Sequence, residues 1–195
     1  RKWSTLVGKK TIFFDLDDTL YDRSVPYCSA FAAFFGGKYA DKAQTAFERT
    51  MLRGYEVFEA AHTGQMTMEA MHIYRHQTGL RDAGIEITPE LYAEEQRHIS
   101  LTPVMEEILT FCRAHFAAMG VITNGGVQSQ RDKLKSLGAA RWFRPELVLI
   151  SDVLGVMKPG PEIFRIAEQA AGARAEDCVY VGDSYSQDVA GAGGC

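Results

Sequence analysis

An α/β protein is predicted, with a parallel-sheet core and a helical bundle inserted near its start. Four short apolar runs, at 11–14, 118–123, 147–150 and 178–181, read as buried strands. Helical patterns separate the last three, which implies right-handed crossovers onto one parallel sheet. Between residues 22 and 101 the texture changes to Ala, Glu, Gln, Met and aromatics at helical spacing, with few strand signals. The length of 195 residues and an apolar content of 46% suit one core domain with such an insert.

The first strand ends in Asp15-Leu16-Asp17-Asp18-Thr19, three carboxylates within four residues. Repelling charges at the end of a buried strand are costly unless something positive meets them. That end of a parallel sheet is also where ligands bind. Asp15 can act as a nucleophile beside a cation. Asp17, two residues on, can act as an acid and then as a base. An ordinary acidic turn is the plain alternative, and the preceding strand and following Thr-Leu argue against it.

The helical segment reads as a bundle of about four helices of ~11 residues each, punctuated by Gly36-Gly37, Gly54, Gly64, Gly79 and Gly84. Inserted directly after the acidic strand, it is well placed to cover a site there. Tyr21 and Asp22 read as its hinge. His72 and His76 lie four apart, a spacing that suits a transition metal, but without a third ligand a surface helix is expected. Arg53, Tyr55, His62 and Arg75 are candidate substrate contacts, most of them expected to be ordinary surface or packing. Met51, Met66, Met68 and Met71 read as core filler.

A helix is expected over 103–115, with Thr102 as N-cap and Pro103 at its first position. Val104, Ile108, Phe111 and Cys112 would form its apolar face. The second strand ends in Thr123-Asn124-Gly125-Gly126. Small polar side chains and exposed backbone N–H groups there suit phosphate oxygens, though Asn-Gly is also an ordinary turn signal. Lys158 sits in a rigid Lys-Pro-Gly-Pro loop before a helix over 161–171, whose apolar stripe is Ile163, Phe164, Ile166, Ala167 and Ala170. A fixed ammonium there could neutralise a phosphate and a nucleophile together. The last strand runs into Gly182-Asp183 and reaches Asp188. Asp183 suits a hard cation such as Mg2+. Asp188 could hold a metal-bound water or orient Lys158.

A net charge of −4 argues against a general nucleic-acid binder. No apolar run approaches the ~18 residues of a membrane span, and residues 1–10 carry no signal-peptide core. Cys28, Cys112, Cys178 and Cys195 show no pair spacing, as expected of free thiols in a reducing cytoplasm.

Taken together, DLDDT, ITNG, the lysine of MKPGPEIF and GDSYSQD resemble the haloacid dehalogenase-like (HAD) hydrolase superfamily. The resemblance covers 11–20 and 103–188, and the helical segment is similar to that superfamily's helical cap in position and texture. It implies a Rossmann-like core over 1–21 and 102–195, with a cap over 22–101. It implies Asp15 as nucleophile and Mg2+ ligand, and Asp17 as general acid/base lending a backbone carbonyl to the metal. Thr123 and the Asn124 backbone would bind the phosphoryl group, Lys158 would balance charge, Asp183 would bind Mg2+, and Asp188 would support the metal site.

The implied activity is hydrolysis of a small-molecule phosphate monoester through an aspartyl-phosphate. The dehalogenase branch is disfavoured, because Asp17 stands where that branch resembles a Tyr, and a carbon–halogen bond needs no proton on its leaving group. A phosphomutase must hold a bisphosphate intermediate, which no feature here requires. A non-catalytic phosphate-binding protein would not need Asp17. Thr123-Asn124-Gly125 with Gln130, Leu134 and Gly138 is similar to the nucleotidase and phosphoglycolate-phosphatase neighbourhood. Nucleoside monophosphates, sugar phosphates and phosphoglycolate are the candidate substrates; neither nucleic acid nor membrane is an expected partner. The superfamily continues after Asp188 with more helix and a further strand. A form stopping at Cys195 is therefore expected to expose a sheet edge and be less stable than a longer one.

Overall fold

The structure, a computed structural model, describes residues 10–85 and 99–194. The chain divides into two compact units, one formed by Arg23–Ile99 and the other by Arg1–Asp22 with Ser100–Cys195.

The first unit contains α1 (Ser24–Phe35), α2 (Ala43–His62) and α3 (Met68–Asp82), with a 3₁₀ turn at Ala40–Lys42. A fourth helix would fall on 86–98, outside the described residues. Tyr27, Ala30, Phe31, Ala46, Leu80 and Ile85 form its core, and the Tyr27 hydroxyl shares a buried hydrogen bond with Thr50 Oγ1 at 3.1 Å. Two glycines expected as punctuation lie inside helices instead. A Cβ on Gly79 would stand 2.5 Å from the Thr50 backbone, and one on Gly54 would stand 3.2 Å from Arg75 Cδ. They let α2 and α3 approach closely. The expected surface helix is also corrected: His76 is buried and stacks on Tyr27, with ring centroids 6.0 Å apart. Arg53 pairs with Asp82 at 2.7 Å and Glu56 at 2.9 Å, and the exposed Tyr55 hydroxyl accepts from Arg23 at 3.1 Å. The His62 side chain lies outside the description. Met51 and Met71 are core residues of this unit, as expected.

The second unit is built on β1 (Thr11–Phe14), whose apolar side chains are all buried. It pairs in parallel with β2 (Ala118–Thr123) and β4 (Cys178–Val181), and β3 (Val148–Ile150) extends the sheet beyond β2. The order is β3-β2-β1-β4. Phe14 lies opposite both Val121 and Val181, so the strands deliver their following residues to one sheet edge. β3 starts one residue later than expected, because Leu147 closes a 3₁₀ turn at Pro145–Leu147.

α4 (Pro103–His115) has the anticipated cap: Thr102 Oγ1 accepts from the Met105 N–H at 3.2 Å. Its face differs. Leu109 and Cys112 are buried, whereas Val104, Ile108 and Phe111 are 65%, 42% and 47% exposed. The helix is turned by one residue, placing half-buried Met105 and Phe116 in line with Leu109 and Cys112. α5 (Val127–Ser136) follows β2. α6 (Pro161–Ala171) packs Ile163, Phe164 and Ala167 against the sheet with Phe13, Ile122 and Leu149.

Among the described residues, no helix is long and apolar enough to cross a membrane. Cys28, Cys112 and Cys178 are free thiols; Cys195 lies outside the description.

Candidate active site

Asp15 is the first residue beyond β1. Its N–H donates to the Val181 carbonyl at 2.8 Å, which ties it to β4. The chain then turns sharply: the Leu20 N–H returns to the Leu16 carbonyl at 3.0 Å, and Asp18 adopts a left-handed φ of 58°. Asp tolerates that conformation better than most residues. Leu16 is wholly buried, so it anchors the turn while Asp15 and Asp17 face separate partners.

Lys158 is 2% exposed, and its ammonium donates in three directions. It reaches Asp15 Oδ1 at 2.7 Å, Asp188 Oδ1 at 2.7 Å and the Tyr180 hydroxyl at 2.9 Å. Three donors with three acceptors leave the buried charge satisfied. Its loop is held by a reciprocal pair: Asn124 Nδ2 donates to the Lys158 carbonyl and the Lys158 N–H to Asn124 Oδ1, each at 2.9 Å. Burial pushes the Asp15 carboxyl up to about 6, against the downward pull of Lys158. Burial also raises the Tyr180 phenol, helped by Asp15 and Asp188. Tyr180 therefore remains a neutral hydroxyl.

Asp188 is the best-buried carboxylate, on a π-helical turn at Tyr185–Val189. Oδ1 takes Lys158, with the Tyr180 hydroxyl at 3.1 Å, and Oδ2 accepts the Ser184 N–H at 2.9 Å. With both oxygens engaged, it is placed to orient Lys158. Carboxylate oxygens of Asp15, Asp183 and Asp188 lie within 4.8 Å of one another, with Asp183 exposed. Such a set of hard oxygen donors fits a divalent metal like Mg2+.

Within the Thr123-Asn124-Gly125-Gly126 turn, several groups are engaged by neighbouring residues. Thr123 is buried at the strand end, and the Asn124 side chain holds the lysine loop. The Gly125 N–H donates to Ser151 Oγ at 3.0 Å and the Val127 N–H to Asp152 Oδ2 at 3.1 Å. The Gly125 amide is therefore engaged within the turn.

Asp17 has its own surroundings. Lys133 Nζ donates to both of its oxygens at 2.8 Å, Gln130 Nε2 approaches Oδ2 at 3.4 Å, and the Tyr21 hydroxyl donates to Oδ1. Gln130 also donates to the Asn124 carbonyl at 2.7 Å. Sequence reasoning missed Lys133 and Tyr180 as site residues and left the role of Tyr21 open. The only available signal for Lys133 was its i,i+3 spacing from Gln130 on one helix face. Tyr180 read as an ordinary strand residue.

A family model for haloacid dehalogenase-like hydrolases matches residues 9–195. A phosphoserine phosphatase from Thermus thermophilus is 40% identical over 103 residues, 53% of this chain and 41% of that protein. The chain thus spans less than half of that relative. A glyceraldehyde 3-phosphate phosphatase from Methanopyrus kandleri is 28% identical over 199 residues, 94% of this chain and 79% of that one. The crystal structure of the HAD-hydrolase YfnB from Bacillus subtilis superimposes with a TM-score of 0.73 at 22% identity, covering 95% of this chain and 84% of YfnB. At that identity the likeness is one of fold.

Proposed function

The chain belongs to the haloacid dehalogenase-like hydrolases, and we propose that it is a phosphoric monoester hydrolase among them, cleaving a small phosphate ester through Asp15. The observation that carries this reading is the separation of two carboxylates into two environments. Asp15 lies against the buried Lys158 at 2.7 Å, and Asp17 is held independently by Lys133 at 2.8 Å. Two carboxylates in distinct surroundings suit two distinct roles.

In the first step an Asp15 oxygen attacks phosphorus and the bond to the ester oxygen breaks. The Asp17 carboxyl gives its proton to the departing alkoxide. In the second, a water oxygen attacks phosphorus and the bond to Asp15 breaks, while Asp17 takes the proton from water. The products are an alcohol and phosphate, with both aspartates restored. Lys158 keeps positive charge beside the phosphoryl oxygens, and Asp188 with Tyr180 prevents it from moving. Thr123 and the Asn124 backbone are assigned to the transferring group. Held by Asp15, Asp183 and the Asp17 carbonyl, with Asp188 behind, Mg2+ would supply positive charge to those oxygens.

A dehalogenase would have no use for Asp17 as a proton donor, which favours the phosphatase branch. Phosphoserine and glyceraldehyde 3-phosphate, substrates in the names of relatives, lead the panel of small phosphorylated metabolites to test. The helical unit, inserted after Tyr21-Asp22, is assigned as the cap that reads the rest of the substrate. The free thiols suit a cytoplasmic setting. The test is p-nitrophenyl phosphate hydrolysis with Mg2+, with EDTA, and in Asp15→Asn. Turnover confined to the first condition is expected. Metal-independent turnover, or turnover surviving in the mutant, would overturn the reading.

A further inference from the structure

Resting on that reading, we propose that Lys133 is a positioning residue for proton transfer by Asp17. The resemblance assigns it no role. Lys133 stands on α5, in a sequence segment more than a hundred residues from Asp17, yet its ammonium chelates both carboxylate oxygens at 2.8 Å. A single contact would leave the carboxylate free to rotate about its Cβ–Cγ bond, whereas the chelate fixes the plane of the deprotonated form, the one that takes a proton from water. When Asp17 is protonated, one oxygen carries the proton towards the leaving group and Lys133 holds the other. Gln130, one helical turn earlier and 3% exposed, approaches Oδ2, while Tyr21 reaches Oδ1 from the turn. These contacts come from two separate elements. Gln130 also holds the Asn124 carbonyl, so the clamp is joined to the turn assigned to the phosphoryl group.

The Lys133 side chain is 11% exposed and that of Asp17 19%. An ammonium so enclosed is kept there only by a partner. A structural ion pair would meet that need as well. The positioning role differs in its dependence on the leaving group. Phenolate leaves with difficulty and benefits from a proton delivered along a fixed line. 2,4-Dinitrophenolate leaves without one. An aligned acid contributes on the order of 100-fold or more, so its misplacement is visible only with the poor leaving group.

The experiment compares single-turnover release of phenol from phenyl phosphate and of dinitrophenolate from 2,4-dinitrophenyl phosphate, both with Mg2+. Lys133→Met is expected to slow the first by about 100-fold and the second by less than about threefold. Asp17→Asn should show the same split, and the double variant little further loss, because the two residues act as a unit. Tyr21→Phe serves if Lys133→Met does not fold, with the same split and about a tenfold loss. Equal losses on the two esters, or none on either, overturn the role of Lys133. Asp15→Asn is the separate control. Turnover surviving there overturns the Asp15 reading, while an unsplit Lys133 result with Asp15→Asn silent overturns the positioning role alone.

Discussion

Lys158 joins two buried carboxylates through one ammonium. Removing it leaves Asp15 and Asp188 facing each other with no cation between them. Lys158→Met is expected to cost roughly 3–5 kcal/mol in urea unfolding at pH 7, the usual penalty for breaking a buried ion pair. Adding Asp188→Asn should recover part of that loss, and a further loss in the double variant would contradict this account. Asp15, Asp17 and Asp183 were legible in the sequence because charges at strand ends stand out against apolar runs, while Lys158 and Asp188 were read from the rigid loop and the acidic segment that follow such strands. Lys133 and Tyr180 were not. A lysine on a polar helix looks like any solvated lysine, and a tyrosine between valines looks like strand packing. Their roles depend on partners remote in sequence, and a single chain gives no sign of which residues will meet.

Elements were legible where local signals agree. Pro103–His115 and Pro161–Ala171 carry proline at the first turn, and their bounds follow from that. Which face a helix buries is less local. On α4 two apolar stripes lie side by side, and the sheet takes the Leu109–Cys112 stripe. Glycine is similarly ambiguous, since it marks both chain turns and close contacts. Gly79 belongs to the second kind. Gly79→Ala should destabilise the protein by roughly 1–3 kcal/mol through overpacking against Thr50, despite the better helix propensity of alanine. An unchanged or raised melting temperature would show that α2 and α3 separate without strain. Thr102→Ala should cost about 1 kcal/mol by the same measurement, from the lost N-cap.

For the molecule as a whole, pH connects the helical unit to overall stability. Burial, with Arg75 and His72 nearby, pushes His76 well below its usual 6.5. Above pH 6.5 it is neutral in the folded and unfolded chains alike. Below that, only the unfolded chain takes up the proton, so stability falls as pH falls until the folded value is reached. The slope from this one group rises towards about 1.4 kcal/mol per pH unit, so pH 6.5 to 5.5 costs about 1 kcal/mol. Unfolding free energies at pH 6.5 and 5.5 should therefore differ more in the native protein than in His76→Phe. Equal differences would remove His76 as the cause.

The order of the site groups along the chain also has a consequence for protein synthesis. Asp15 and Lys158 are 143 positions apart, and Asp188 comes thirty later. A ribosome releases the acidic end of β1 early and its neutralising lysine late. Translation at about 5–20 residues per second puts that interval at roughly 7 to 30 seconds. During it, the nascent chain carries Asp15 without the buried ion pair, and β4, which holds the Asp15 amide, has not yet emerged. The candidate active site is thus a late product of translation, and arrest before residue 158 leaves Asp15 without the lysine that the finished protein sets against it.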